Sequence, residues 1–196
     1  MVKSPFLIII DGPMGSGKST VAKLLQKRIK ERTALISLDN LKRIVSEYKM
    51  DSHLHLDLAS KSGAAMVNLY LKEGLSVIVE KAFTIEKYLK SFLKLIKEKP
   101  KIFIYQIEVP FEIGFQRVKE REKLKEKRIP KNKLKEKVTR IYEHFDKFRY
   151  NKAKVFDSSK LTPRQIVNRI LKEIKWHSTT PKRLWNYSWI PRTWGK

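Results

Sequence analysis

An α/β fold with a mostly parallel five-stranded sheet flanked by helices is predicted by two patterns in the sequence. Short apolar runs alternate along the chain with longer segments of helical periodicity, which is typical of strands joined by crossover helices. The runs are dominated by apolar residues, as expected of strands that are buried on both faces of a parallel sheet. Five runs carry the prediction: residues 6–10, 34–38, 75–79, 102–109 and 155–156.

A glycine-rich motif joins the first predicted strand to the first predicted helix. The letters GPMGSGKS at residues 12–19 match the pattern G-x-x-x-x-G-K-[ST], in which glycines let the backbone turn closely around phosphates. The backbone N–H groups and the lysine supply positive charge, and the hydroxyl after the lysine binds Mg²⁺. The residues expected to hold the nucleotide are Gly12, Met14, Gly15, Ser16, Gly17, Lys18, Ser19 and Thr20.

Two acidic residues follow the second and third predicted strands. Asp39 and Glu80 should therefore lie at the carboxyl edge of the sheet, where ligands of open α/β sheets bind. We expect Asp39 to accept the proton of an attacking hydroxyl, and capping the helix that starts at Leu41 is a compatible second role. Glu80 is expected to bind Mg²⁺ or the acceptor hydroxyls. The alternative for Glu80 is a salt bridge with a lysine such as Lys81.

Residues 41–73 are predicted to be helical and to wall the acceptor pocket. Arg43, or Lys42 before it, is expected to bind the acceptor or the transferred phosphoryl group, the alternative being an exposed basic residue. Gly74 provides the stop signal. The expected inward positions are Leu58, Ala65, Met66, Leu69 and Tyr70.

A basic lid is predicted after the fourth strand, over about residues 117–140. Pro110 pre-sets the first turn of a helix. Residues 119–137 carry very few apolar side chains, so we expect an exposed helical hairpin or loop there, outside the core. We expect the arginines of this segment to contact the γ-phosphate when the lid closes. The alternative is a solvated charged helix. The arginines concerned are Arg117, Arg121 and Arg128.

The C-terminal part divides into a last helix and a basic tail. Thr162 and Gln165 have the spacing of a capping box, and we place the kinase-like domain at residues 1–175. Residues 176–196 hold all four tryptophans, interleaved with basic residues. Such a mixture can stack the bases of single-stranded nucleic acid. Packing on the domain, self-association and poor order are the alternatives.

The charge balance is the unusual feature of the composition. With 44 basic and 20 acidic residues the formal net charge is +24, which favours polyphosphate or nucleic-acid partners. A lysine-rich proteome adapted to heat would give the same composition. The absence of cysteine excludes disulfides, and the histidines lack a structural-zinc spacing. Without a long apolar run or a signal-peptide cleavage site, we expect a soluble, cytoplasmic protein with no membrane partner.

Over residues 6 to about 175 the sequence resembles the phosphate-loop (P-loop) kinases grouped with zeta toxins, chloramphenicol phosphotransferase and the 5′-kinase domain of polynucleotide kinase. The resemblance implies a three-layer P-loop NTPase fold in which Asp39 is the base that activates an acceptor hydroxyl. It also implies that the lid arginines bind phosphate and that residues 155–159 line the adenine site. Polynucleotide-type kinases tend to place arginine three residues after the base, where this sequence has Lys42.

Together these features predict a kinase that uses ATP and Mg²⁺ and phosphorylates a hydroxyl acceptor, with RNA, DNA or a nucleotide 5′-hydroxyl favoured. Lys18, Asp39, Arg117 and Arg121 are the expected catalytic residues. The expected acceptor ligands are Asp39, Arg43, Glu80 and Arg128, and the expected metal ligands are Ser19 and Glu80. A small-molecule or nucleoside monophosphate kinase and a non-catalytic nucleotide switch are the alternatives. The acceptor, the choice between ATP and GTP, and the oligomeric state stay open.

Overall fold

Five parallel strands form one sheet in the computed structural model, which describes residues 4–46, 53–83, 85–124, 129–146 and 150–175. The strands are β1 (Phe6–Asp11), β2 (Thr33–Ser37), β3 (Ser76–Glu80), β4 (Lys101–Glu108) and β5 (Lys154–Asp157). Their order is β2-β3-β1-β4-β5, and all four pairings are parallel. The predicted five-stranded α/β fold is confirmed, and the carboxyl ends of all strands meet at one edge.

Seven helices flank the sheet in the described part of the chain. They are α1 (Lys18–Arg28), α2 (Leu38–Leu41), α3 (His53–Lys72), α4 (Glu86–Lys94), α5 (Phe111–Lys123), α6 (Lys131–Asp146) and α7 (Pro163–Lys175). The predicted capping box begins α7, since Gln165 N–H donates to Thr162 Oγ1 at 3.3 Å and Thr162 N–H donates to Gln165 Oε1 at 2.8 Å. None of the helices in the described residues is long and apolar enough to cross a bilayer.

Two apolar layers cover the two faces of the sheet. Alternate residues of a strand point to opposite faces. Accordingly, Ile8 and Ile10 of β1 pack with residues of α1 and α7, whereas Leu7 and Ile9 pack with residues of α3 and α4. Because β1 lies at the centre, it is buried along its whole length. This burial explains why residues 6–10 form an unbroken apolar run.

Helix α3 presents a different face to the core from the one predicted. Met66 and Tyr70 pack partly against the core, but three expected inward residues are exposed: Leu58, Ala65 and Leu69. The buried row instead recurs at every fourth position: His55, Ala59, Gly63, Val67 and Leu71. A Cβ atom on Gly63 would meet the side chain of Leu38. The close approach of α2 therefore selects small residues, which a search for large apolar side chains misses.

The predicted basic lid is a helical hairpin of α5 and α6, and it has a small core of its own. That core contains Val109, Val118, Leu134, Val138 and Tyr142. The predicted exposed helical hairpin is found, since most of the described residues of 119–137 are exposed, but Leu134 within this stretch is buried in the small core. Glu122 is also buried there and accepts a hydrogen bond from Ile129 N–H at 3.1 Å. The predicted tail, residues 176–196, lies outside the described residues.

Candidate active site

The glycine-rich segment between β1 and α1 forms an anion-binding cradle. Gly15 and Gly17 have φ angles of +80° and +87°, in the left-handed region that disfavours residues with a Cβ. Lys18 opens α1 and is largely buried, and its Nζ donates to the Pro13 carbonyl at 3.4 Å. The helix N-terminus and the ammonium group thus point into the same loop. This arrangement fits a polyphosphate.

The lid hairpin touches this loop through Gly114 and Tyr142, which the sequence gave no reason to single out. A Cβ on Gly15 would meet the carbonyl oxygen of Gly114 in α5, and a Cβ on Gly114 would meet the hydroxyl of Tyr142 in α6. Tyr142 Oη donates to the Met14 carbonyl at 2.9 Å. Two glycines and one tyrosine therefore hold α5 and α6 against the loop.

Arg117 is the predicted lid arginine that the structure brings to the phosphate loop. Its Nη1 donates to the Gly15 carbonyl at 3.3 Å and to Ser158 Oγ at 3.1 Å, and its Nη2 donates to the Ser158 carbonyl at 3.0 Å. Arg121 is exposed on the next turn of α5, and Arg128 lies outside the described residues. Arg117 thereby ties the segment after β5 to the loop.

A cavity of ≈ 350 Å³ lies beside the loop, between the ends of β4 and β5 and the lid. The segment expected to line the adenine site, residues 155–159, contributes Asp157 to its wall. Its lining includes Pro13, Glu108, Val109, Pro110, Tyr142 and Asp157. The mixed polar and apolar wall suits a flat heterocyclic base.

Ser19 and Glu80 meet on the other side of the loop. Ser19 Oγ donates to Glu80 Oε1 at 2.6 Å, and Glu80 is buried at the end of β3. Two hard oxygen donors next to a phosphate cradle fit Mg²⁺, which takes few protein ligands and completes its shell with phosphate and water. In the part of the chain that the structure describes, no group of three or more His, Cys, Asp or Glu side chains could hold a metal ion. The Mg²⁺ role of this pair stays a prediction.

Asp39 lies within a helix and not at the end of a strand as predicted. Strand β2 ends at Ser37, which is also the N-cap of α2, so the expected cap of a helix starting at Leu41 is wrong. The structure places Asp39 in the first turn of α2. Its Oδ1 lies 3.3 Å from Lys42 Nζ and 3.6 Å from Lys81 Nζ.

The two lysines around Asp39 differ from the basic residues that were singled out. Arg43 is exposed, whereas Lys42 and Lys81 are buried, at 8% and 6% exposure. Lys81 was considered as a partner of Glu80, but its ion pair ends on Asp39 instead. A single sequence gives no direct signal for a buried lysine, although Lys81 directly follows a strand end.

The lysines control the ionisation of Asp39. Desolvation raises its pKa, but the charges of Lys81, Lys42 and Lys18 outweigh that effect and hold the pKa below its usual value. Desolvation lowers the pKa of Lys81 to about 8, and Asp39 partly opposes this shift. Asp39 is therefore an anion at neutral pH, as a proton acceptor must be.

Asp11, the last residue of β1, is a buried acid that no sequence motif singled out. Its Oδ1 accepts hydrogen bonds from Gly12 N–H and Phe83 N–H, both at 2.8 Å, and its Oδ2 accepts from Gln106 Nε2 at 3.2 Å. Burial raises its pKa to about 6, although these donors and Lys18 oppose the shift. Asp11 thus links the start of the phosphate loop to the segment after β3.

Comparisons with known proteins agree with this fold. The family model for zeta toxin matches residues 1–170, whereas no curated protein matches the sequence. A chain of the Pnkp1/Rnl/Hen1 RNA repair complex superposes with a TM-score of 0.61 at 24% identity, over 76% of this chain and 48% of that chain. This chain therefore spans about half the length of that relative.

The match spans almost the whole length of two other solved structures. An unliganded sugar kinase from Janibacter sp. HTCC2649 has a TM-score of 0.63 at 16% identity, over 87% of this chain and 95% of that chain. The crystal structure of APE1195 gives 0.68 at 17% identity, over 89% and 97%. At these identities the structural likeness shows the shared fold alone.

Proposed function

Because this chain belongs to the zeta toxin family, with the family model matching residues 1–170, we propose that it transfers the γ-phosphate of ATP to a hydroxyl acceptor. The observation that carries the proposal is the placement of Asp39. Its ionised carboxylate lies beside Lys42, at the end of α2, and Lys81, which follows β3. Lys18 and the Ser19–Glu80 pair lie at the same edge of the sheet. A nucleotide switch needs the loop but needs no proton acceptor at this edge.

Each residue has a physical task in the proposed transfer. Lys18 and the loop N–H groups hold the β- and γ-phosphate oxygens, and Ser19 and Glu80 hold Mg²⁺. When bound, Mg²⁺ neutralises charge on the phosphates. Asp39 orients the acceptor hydroxyl and takes its proton as the oxygen bonds to the γ-phosphorus. The bond between that phosphorus and the bridging oxygen breaks, and ADP leaves. Arg117, anchored at Gly15 and Ser158, reaches the developing charge from the lid side.

The proposed acceptor is a nucleotide or a nucleic-acid 5′-hydroxyl. The net charge of +24 favours a polyanionic acceptor. The likeness to a chain of an RNA repair complex supports the same choice. The likeness to a sugar kinase supports a small hydroxyl acceptor as the second candidate. Both candidates require the same base and the same phosphate loop.

Transfer of labelled γ-phosphate tests the proposal. The panel contains 5′-hydroxyl RNA and DNA, transfer RNA, nucleosides, nucleoside monophosphates and sugars. We expect one acceptor class to be labelled, with Asp39→Ala lowering turnover by a factor of about 10² or more while ATP binding is retained. Asp57→Ala is the matched control, because Asp57 is an exposed acid on α3 paired with Lys61. Tight ATP binding without any labelled product would favour a nucleotide switch.

A further inference from the structure

The exposed face of α4 carries a row of lysines that acidic residues do not neutralise. One side of the helix presents Lys87, Lys90 and Lys94, whose spacing of three and four residues places them on one face. Lys97 follows just beyond the end of the helix, and all four lysines are exposed. Lys90 pairs with Glu86 at 2.9 Å. In the described part of the chain, the other three lysines have no acidic partner.

An exposed aromatic ring lies beside this row. Tyr88 is adjacent to Lys87 and is 42% exposed, and the same flank of α4 continues with Ser91 and Leu95. Bases of single-stranded nucleic acid stack on aromatic rings while neighbouring basic residues contact the phosphates. The face therefore combines the two kinds of side chain that bind a nucleic-acid strand without reading its sequence.

Contacts on its inner side and at its end hold α4 in a fixed position. The ring of Phe92 packs against Phe83 with the centroids 5.7 Å apart, and Phe83 N–H donates to Asp11 at the start of the phosphate loop. Beyond the last turn, Lys97 N–H donates to Asn68 Oδ1 of α3 at 2.8 Å. The lysine row is thus fixed relative to the candidate active site.

The first turn of α4 lies near that site. Strand β3 ends at Glu80, at the carboxyl edge of the sheet, and α4 begins at Glu86. The segment from Glu80 to Lys87 can span at most about 25 Å. Successive nucleotides advance by at least about 3.4 Å along a strand, so a strand whose 5′-hydroxyl lies at Asp39 can reach Lys87 within several nucleotides.

The buried side of α4 favours nucleic acid over a membrane surface. A helix that binds in the membrane interface inserts its apolar face between the lipids. In α4 that face is already used, since Leu89 and Phe92 are 0% and 1% exposed and pack in the protein core. The face left for a partner is basic, which complements a chain of phosphates.

We propose that the exposed face of α4 binds the strand of a single-stranded nucleic-acid acceptor, with a base stacked on Tyr88 and phosphates contacting Lys87, Lys94 and Lys97. This inference rests on the proposed function and narrows its acceptor to a strand of several nucleotides. The α4 residues form and break no covalent bond. They hold the strand beyond its reacting end and so select strands over free nucleosides.

Binding of a short 5′-phosphorylated oligoribonucleotide tests the surface without catalysis. Fluorescence anisotropy in the absence of ATP compares wild type with Lys87→Gln/Lys94→Gln/Lys97→Gln over a range of salt concentrations. Each phosphate contact on a single strand contributes about −0.7 to the slope of log affinity against log salt. The triple variant should therefore bind about 100-fold more weakly at about 0.1 M salt, with a slope shallower by about 2.

A second triple variant controls for net charge. Lys27→Gln/Lys30→Gln/Lys172→Gln removes the same charge from exposed lysines on or just after α1 and on α7, which pack on the other face of the sheet. Its affinity for the strand should stay within a few-fold of wild type. Equal losses in the two triple variants would show that only the net charge attracts the strand, and they would overturn the proposed surface.

Variants of Tyr88 test the stacking contact. Tyr88→Ala should weaken binding about 10-fold without changing the salt slope, because a base loses its stacking partner but no phosphate contact is removed. Tyr88→Phe keeps the ring and should bind as wild type does. Equal losses in Tyr88→Ala and Tyr88→Phe would exclude stacking on this ring.

Transfer of labelled γ-phosphate separates failure of the surface from failure of the proposed kinase activity. In the α4 triple variant, the KM of a 5′-hydroxyl oligonucleotide should rise about 100-fold, whereas kcat and KM for a nucleoside should not change. Strand binding that requires the α4 lysines, without transfer to any acceptor, would reject the kinase activity and leave the surface standing. Transfer to a nucleoside by a protein that binds no strand would do the reverse.

Vesicles of phosphatidylserine and phosphatidylcholine test the membrane alternative. We expect the wild type to bind the oligoribonucleotide in preference to these vesicles. Binding of the vesicles in place of the oligoribonucleotide, lost in the α4 triple variant, would overturn the proposal in favour of a membrane partner.

Discussion

The buried carboxylate of Asp11 makes the folding stability of the chain depend on pH. It is fully buried, and all three of its hydrogen-bonding neighbours donate to it. Gln106 Oε1 has no hydrogen-bond partner among the described residues. Because burial raises the pKa from 3.8 to about 6, the folded chain binds the Asp11 proton more tightly than the unfolded chain does. The stability contributed by Asp11 therefore falls as pH rises through this window.

We predict that Asp11→Asn removes this pH dependence. A rise of the Asp11 pKa from 3.8 to about 6 corresponds to about 3 kcal/mol of folding stability lost between pH 4 and neutral pH. Asparagine keeps the oxygen that accepts from Gly12 and Phe83, and its N–H can donate to Gln106 Oε1 once that amide turns. Urea unfolding across this pH range should show the variant gaining stability relative to wild type as pH rises. Asp57→Asn, which replaces an exposed acid, is the control, and its free energy of unfolding should follow that of wild type at every pH. If the curves of Asp11→Asn and wild type ran parallel, the prediction would be contradicted.

A residue of the site was predictable where a sequence motif fixes its position. It was unpredictable where only burial in the folded chain selects it. The phosphate loop and the two acids follow from spacing and from their position after apolar runs. The sequence favoured Arg43 over Lys42, because nothing in one sequence shows which of two adjacent basic residues turns inward. The helical start of α2 at Leu38 makes that choice, since it places Lys42 one turn after Asp39.

At the scale of elements, the contact between the phosphate loop and the lid hairpin depends on the absence of one methyl group. In an exposed helix, replacing glycine by alanine stabilises by up to about 1 kcal/mol. In α5 the new Cβ of Gly114→Ala would meet the Tyr142 hydroxyl, which donates to Met14 in the loop. Steric overlap in a packed site costs about 1–3 kcal/mol, so the unfavourable effect should win.

We therefore predict that Gly114→Ala lowers both the melting temperature and the affinity for an ATP analogue. Displacement of α5 and α6 would remove the Tyr142–Met14 hydrogen bond and shift Arg117 away from Gly15. Thermal unfolding and calorimetric titration measure the two effects. The double variant Gly114→Ala/Tyr142→Phe removes the overlapping oxygen and should recover part of the loss. Additive losses in the double variant would show that this contact does not hold the hairpin in place.

Elements were predicted best where their periodicity is unambiguous. The five strands and the capping box of α7 were found, because the central strands β3, β1 and β4 are largely apolar and the edge strands β2 and β5 each keep a short apolar run. Helix α4 and the packing of α3 and α6 were missed. Helices α3 and α6 bury small residues or apolar residues spaced by four, so the shape of the neighbouring helix decides which face turns inward. Helix α4 buries Leu89 and Phe92 at ordinary helical spacing, so it was predictable from its sequence.

At the scale of the whole molecule, the net charge of +24 supports a prediction that separates the two acceptor classes. A strand that neutralises about four phosphate contacts on binding should lose affinity by about 50-fold between 50 and 200 mM salt. A nucleoside or sugar acceptor releases almost no counterions and should be insensitive. The KM of each acceptor is measured at saturating ATP, so that the salt dependence of ATP binding cancels. If the KM values of the oligonucleotide and the nucleoside depended on salt in parallel, the excess lysines would only solvate the surface. The net charge would then no longer support a nucleic-acid acceptor.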